Sequence, residues 1–582
     1  RQYYTSYGAF ETTTDAAAPA AAPDRGASIE TSSKADTPDF SDTNLQVAGV
    51  QEADIVKSDG KYIYALSNEY LHIVSAVDGE LTKLSEIARS TSNENKLQDS
   101  YAFEMYVRDN RLIVLTNYYN YHIMRGGAEP AIDVMPATDA TPEMRSYIYP
   151  YFSGIVGVEI YDISDKSSPT HLNSFSQSGS YASSRMIGDI VYLVSNESIY
   201  NEIDKKRPET FVPMVYRNGE GTLLDAQDIC IAIDPEYYHG SAQYLVVSGI
   251  DTSGEGEIVS TKSMLGYGNT IYSSSENLYV AAYSQLKESG NRSSDATQLY
   301  RFSLDAGNIE LEAEGMVPGS IINQFAMDEY DGTFRIVTTV NSYSYSDGRQ
   351  GDMVWRSITD NEQYNALYTL DSNLDIIGKI ENLAPDERVY SVRFDGETGY
   401  FVTFRQVDPL FSVDLSNPAN PVILGELKIP GFSEYLHPFA DGLLFGLGKD
   451  ADEESGRVGC LKLSMFDVSD PSDVSETSKL IINDLHYSEA SYNHKAILID
   501  SEKNIIAFPA EGKYLIYSYS TENGFEAEAV ISLTRNEKDY YYGYQNLRGL
   551  YIGDYLYVIS DSSIASYSML TYKFHDMLDL TA

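Results

Sequence analysis

The chain has 582 residues, 41 basic and 86 acidic, and its formal charge of −45 opposes nucleic-acid phosphates and anionic membrane surfaces. A hydrophobic share of 42% is ample for a packed core and excludes a disordered protein. Two cysteines, Cys230 and Cys460, leave no disulfide framework, and no run of 18 apolar residues is present to cross a bilayer as a helix.

Residues 1–42 are Thr-rich, then Ala/Pro-rich from Ala16 to Pro23, then Ser/Asp-rich, without hydrophobic periodicity. They read as a flexible stalk or linker. The first residue is Arg1, which fits a removed signal peptide or membrane anchor upstream.

From Thr43 onward short runs of Tyr, Val, Ile, Leu and Phe are bounded by Asp-Gly, Gly-Asp, Asn and Pro, and helical periodicity is almost absent. The first strong hairpin signal is Asp59-Gly60, between Ile55-Val56-Lys57-Ser58 and Lys61-Tyr62-Ile63-Tyr64. Comparable turns recur at Val107–Arg111, Met186–Ile190, Ser273–Asn277, Glu329–Thr333, Phe394–Glu397, Phe439–Gly442, Asp500–Lys503 and Ile552–Tyr555. Nine turns over the remaining chain give roughly 59 residues per unit, the size of a four-stranded propeller blade with loop insertions. The spacing therefore predicts an all-β fold, a single β-propeller over 43–582 with eight or nine four-stranded blades. The last unit clearly supplies three strands, so the stretch Thr43–Gly49 is expected to close the ring as an N-terminal strand.

One phrase repeats: Tyr161-Asp162-Ile163-Ser164-Asp165, Val413-Asp414-Leu415-Ser416-Asn417-Pro418 and Phe466-Asp467-Val468-Ser469-Asp470-Pro471. Its Asp ends an alternating strand and can accept backbone N–H groups two residues on, so the phrase reads as a corner between the third and fourth strands of a blade. Pro169, Pro418 or Pro471 then helps to set the turn.

No P-loop, Rossmann fingerprint, G-x-S-x-G elbow or H-E-x-x-H is present. Chemistry must therefore be sought among groups that separate blades bring together. The innermost strands line a propeller's channel, and their polar residues include Glu52, Asp54, Arg185, Gln324, Arg393, His437, His494 and Arg548. Adjacent blades bring His437 toward His494, with Glu52 and Asp54 further round. This makes either a metal or acid/base constellation, or a polar channel whose groups pair with one another and with water. Arg405 and Asp408 read as an ion pair, a turn-setting pair or part of the same site.

Asp328, Glu329 and Asp331 cluster at a turn where hard oxygen donors suit Ca²⁺, without the EF-hand spacing, and an ordinary acidic turn is the competing reading. Forty-nine tyrosines stand against one tryptophan. Strand packing accounts for many of them, and the loop clusters Asn117–Tyr121 and Asp539–Tyr544 read as a contact face for protein or glycan. Insertions over 118–152 and 197–227 add further surface.

Several stretches resemble a family of secreted bacterial and archaeal β-propeller domain proteins distantly related to WD40 repeats. They are Thr43–Lys57, Gln324–Gly332, Tyr390–Phe394, Val402–Phe411, Gly425–Pro438 and His494-Lys495-Ala496. The resemblance implies export and a propeller and supplies no reaction. The expected molecule is an extracellular or cell-surface-anchored binding or scaffolding module with an extracellular protein or glycan partner. The alternative is an enzyme, a hydrolase, lyase or metal-dependent catalyst, working at the channel mouth.

Overall fold

A computed structural model describes residues 39–93, 98–125, 148–199, 205–231, 243–266, 268–287, 290–350, 353–404, 408–452, 455–532 and 546–581. Strands dominate, and helical structure among these residues is confined to five short 3-10 turns. The strands form nine four-stranded antiparallel meanders, blades 1 to 9 in chain order. Their first, innermost strands are Val56–Ser58, Gln98–Arg108, Ser180–Ile187, Thr270–Ser273, Met327–Tyr330, Arg388–Asp395, Phe432–Ala440, Leu498–Asp500 and Arg548–Ile552. Every hairpin turn expected from the sequence links a first strand to a second, which makes the blades nine. Six of these turns place Gly60, Gly188, Gly332, Gly396, Gly442 or Gly553 at positive φ, where a side chain would be strained.

The core lies between blades. Second strands such as Tyr62–Leu66 are buried almost throughout, whereas fourth strands such as Glu80–Ala88 alternate exposed and covered positions. Each apolar cluster joins two consecutive blades, as when Tyr192, Val194 and Leu245 of blade 3 pack on Ile271, Leu278 and Tyr300 of blade 4. Tyrosine suits these seams because its ring packs while its hydroxyl reaches a polar neighbour. Tyr64 donates to Asp59 at 2.8 Å, Tyr106 meets the Ser184 hydroxyl at 2.8 Å, and Tyr272 accepts from the Glu329 N–H at 2.9 Å.

Blade 9 has its own fourth strand, Phe574–Asp579, so Thr43–Gly49 does not supply one. The ring closes by packing of Leu550, Ile552, Tyr557 and Ile564 against Val56, Ile63, Val74 and Leu81, while the Asp576 carboxylate accepts the Leu81 N–H at 2.9 Å. An N-terminal stretch does join blade 9, at its inner edge. Phe40 bridges Ile552, and Ser41 donates its N–H to the Tyr551 carbonyl at 3.1 Å.

The repeated phrase is a corner device. Asp162, Asp414 and Asp467 accept the N–H groups of Ser164, Ser416 and Ser469 at 2.8, 2.9 and 3.0 Å. The next residue in each phrase, Ile163, Leu415 or Val468, donates its own N–H back to a residue of the inner turn. Corners also pack blades together: the Pro418 carbonyl of blade 6 accepts the Thr369 hydroxyl of blade 5 at 2.5 Å. Gly378 permits that approach, since a Cβ there would strike the Pro418 carbonyl and lie 2.7 Å from Thr369 Oγ1 and 2.9 Å from Pro421 Cδ. Gly378→Ala is expected to cost about 1–3 kcal/mol by overpacking the blade 5–6 seam. Urea unfolding measures it, and an unchanged midpoint would disprove the packing account.

The 197–227 insertion serves the sheets where it is described. Its hairpin Met214–Arg217 and Glu220–Leu223 extends the outer edge of blade 2, and Ile229–Ile231 pairs in parallel beside the fourth strand of blade 3. Covered edges cannot recruit another chain's strand.

Candidate functional site

The inner strands surround the channel, and residues 39–51 cross it as a strap that is anchored at both ends on the C-terminal end of an inner strand. The strap begins on blade 9 at Phe40 and ends on blade 3, where Val50 and Gln51 pair with Ile187 and Met186. Between these anchors its side chains hold other blades. Lys57 donates to Thr43 Oγ1 at 2.7 Å, and Asn44 Nδ2 donates to the Tyr435 hydroxyl at 2.9 Å and the His494 carbonyl at 3.3 Å. Gln46 Nε2 donates to the carbonyls of Gln324 and Met327 at 3.1 and 3.4 Å.

Beneath the strap lies a network of buried charges. Arg548 donates through Nε to both Asp54 oxygens, at 3.0 and 3.2 Å, and through Nη1 to Glu489 at 3.0 Å. Burial alone would lower the Arg548 pKa, but the two carboxylates hold it above the ordinary arginine value. Lys495 donates to the Glu104 carboxylate and, at 2.9 Å, to the Ala53 carbonyl. Burial opposes its charge as well, and Glu104 and Asp54 more than offset it. Three acids and the two cations between them thus join blades 1, 2, 8 and 9.

The histidines are held differently. His494 Nε2 lies 3.4 Å from Glu52 Oε2 without hydrogen-bond alignment, and its ring meets Phe325 edge-on at a centroid separation of 6.0 Å. Burial would raise the Glu52 pKa, yet Arg185, His494 and Lys495 hold it well below the usual carboxylate range. Burial is also the main reason the His494 pKa falls, so a neutral imidazole faces an ionised carboxylate. His437 is depressed further, by burial first and then by Arg393 and His494, and its Nδ1 lies 3.3 Å from the Tyr435 hydroxyl. Arg185 donates to Gln324 Oε1 at 2.7 Å and so fixes that amide's orientation. Burial lowers the Arg393 pKa, beside Tyr435.

Glu52, Asp54, Arg185, Gln324, Arg393, His437, His494 and Arg548 are therefore gathered at one mouth, in two groups. Asp54 belongs to Arg548 rather than to the histidines. Among the described residues no group of three or more His, Cys, Asp or Glu side chains is placed to hold a metal ion.

Of the remaining candidates, Arg405 lies outside the described residues, as does the side chain of Asp408, which opens the third strand of blade 6. At the acidic turn Asp328 accepts Arg335 Nε at 2.9 Å, Glu329 accepts Ser274 Oγ at 2.6 Å and Asn277 Nδ2 at 3.0 Å, and Asp331 turns the chain at a φ of 48°. Calcium there would have to displace these bonds. The 539–544 cluster lies outside the described residues, as do the side chains of 119–121 in the other; in that one, Tyr118 donates to Glu159. Cys460 is half-buried and free.

Sequence reasoning missed Asn44, Gln46, Glu104, Tyr435, Glu489 and Lys495. Four of them, Asn44, Gln46, Tyr435 and Lys495, stand in the phrases already singled out. Glu104 and Glu489 carry no such signal, because their partners come from other blades.

The profile of the family described as Beta propeller domain matches residues 40–572. An uncharacterized protein of Methanocaldococcus jannaschii is 26% identical over 615 aligned positions, covering 93% of this chain and 83% of that one. An uncharacterized protein of Archaeoglobus fulgidus is 39% identical over 294, covering half of this chain and 40% of that protein's length. Among solved structures, the periplasmic gluconolactonase of Pseudomonas aeruginosa is similar with a TM-score of 0.32 and 8% identity, over 58% of this chain and 91% of that one. That likeness is too slight to carry an argument.

Proposed function

The chain belongs to the Beta propeller domain family, and from that premise we propose that it is an exported recognition or scaffolding module of the cell surface. One observation carries the reading: the channel mouth is spanned by the chain's own strap, and its acids are matched by built-in cations. Asp54 and Glu489 engage Arg548, and Glu104 engages Lys495. A general base or nucleophile needs a group left free to meet a substrate, and these carboxylates are committed. Recognition needs a rigid frame with variable surface, which nine packed blades provide. The −45 charge suits basic or cation-bridged partners, and an extracellular protein or glycan is the class proposed.

A catalytic reading rests on one feature, the neutral His494 beside ionised Glu52. The experiment is a survey of the full chain against envelope proteins and glycans, with His437→Ala and His494→Ala alongside. The module reading expects saturable binding that both variants retain. Turnover by the wild-type protein that is lost in both folded variants would overturn it in favour of the enzyme. Elemental analysis and native mass spectrometry of the purified protein test for Ca²⁺ or a copurified ligand.

A further inference from the structure

We infer that the channel mouth is a binding site for an extended, neutral peptide bearing side-chain amides, occupied here in cis by residues 43–47. The inference deepens the recognition-module reading by naming a site and a ligand class.

Three observations support it. First, the strap is held between its anchors in the manner of a ligand. Across 43–47 it is held to the inner blades by side-chain bonds, Thr43 to Lys57, Asn44 to Tyr435 and His494, and Gln46 to Gln324 and Met327, and by the Gln46 N–H, which donates to Glu52 Oε1 at 3.4 Å, with no strand ladder. Gln46 is 8% exposed, so its amide is enclosed.

Second, the mouth specifies the chemistry of what fills it. It presents acceptors, the carbonyls of Gln324, Met327 and His494, the Tyr435 oxygen and the Glu52 carboxylate, together with one ammonium donor, that of Lys57. A carboxylate would meet the lone pairs of those carbonyls. A second ammonium would meet Lys57, Lys495, Arg185 and Arg393 in the same buried space, where the Glu52 carboxylate is already balanced by Arg185 and Lys495. Amides and hydroxyls, which donate and accept without charge, fit both sets.

Third, the cis segment leaves the site incompletely satisfied. Gln324 is 2% exposed and its Nε2, turned away from Arg185 by the bond to Oε1, has no hydrogen-bond partner; His494 is fully buried, and its Nδ1 has none while Nε2 faces Glu52. A buried donor left unmet is costly, so a peptide that supplies an acceptor to Gln324 gains over the strap.

Tethering places the strap at an effective concentration in the millimolar range, which a free peptide must outcompete. The test uses the full chain carrying Asn44→Ala and Gln46→Ala, and a fluorescein-labelled synthetic peptide of residues 39–51 read by anisotropy. The double variant is expected to bind the peptide at least tenfold more tightly than wild type. Asp or Lys in place of Asn within the peptide is expected to weaken binding at least tenfold, as is Tyr435→Phe added to the double variant. Equal binding by wild type and variant, no binding by either, or indifference to the peptide's charge would overturn the inference. Should the double variant fail to fold, hydrogen exchange of wild-type strap amides replaces it: millimolar peptide should accelerate exchange at Ser41 and Gln46, and unchanged rates would overturn the proposal. The survey of wild-type partners is independent of this result, so the two readings fail separately.

Discussion

Arg548→Met should lower unfolding free energy by about 3–5 kcal/mol, among the largest losses available to a single substitution in this chain. Met fills much of the volume but leaves Asp54 and Glu489 without the guanidinium that binds three of their oxygen contacts. Asp54 and Arg548 are 2% and 5% exposed, so water cannot replace the lost partner without opening the mouth. The cost is chiefly that of abandoned charge. The triple variant Arg548→Met/Asp54→Asn/Glu489→Gln should therefore recover most of the loss, and the double-mutant cycles should show strong coupling. Denaturant unfolding of the set measures this. A single-variant loss below about 1 kcal/mol would mean that the network is solvated and does not join blades 1, 8 and 9.

Acidification should destabilise the fold in two phases. His72, His437 and His494 are buried with depressed pKa values, burial being the largest cause for each. The unfolded chain takes up these protons near pH 6.5 while the folded one resists. Their contribution is present above that pH and is lost as pH falls below it, at up to about 1.4 kcal/mol per pH unit for each imidazole. Glu52, whose carboxyl is held low, adds a second phase, its stabilisation being lost below about pH 4.5. Glu197 works in the opposite direction: burial raises its pKa to about 7, so protonation favours the folded state as pH falls from there. A differential measurement isolates the imidazole. Relative to wild type, His494→Gln should flatten the stability profile between pH 6.5 and 5 by up to about 1.4 kcal/mol per unit, and Glu52→Gln should flatten it only below 4.5. Parallel profiles for wild type and His494→Gln would refute a neutral, buried His494.

Much of the fold is legible in residue order because a blade is a local object. Alternation, Asp-Gly turns and the repeated Asp phrase each act within a few residues, and the structure has the nine hairpins and the corners where they fall in the sequence. The closing strand was misjudged for a physical reason. Thr43–Gly49 has the apolar content of a strand, but Phe574–Asp579 occupies the outer place in blade 9, and the strap's donors bond carbonyls across the channel instead.

The candidate site divides in the same way. Polar residues on or just before the inner strands mark the channel, because inner strands of a propeller face its axis whatever their order in the chain. Which acid meets which cation depends on the curvature of the closed ring. Arg548 and Asp54 are 494 residues apart, and Lys495 and Glu104 are 391 apart, so no spacing rule relates them.

Sequence by itself determined the all-β class, the unit length, the inner turns and the Asp corners, since these follow from backbone preferences and hydrogen bonds over a few residues. Only the tertiary structure decided the closure of the ring, the pairing of buried charges and the path of the strap across the mouth. Those outcomes are set by distances across the axis, where burial makes every unmatched donor or charge costly and so selects one arrangement.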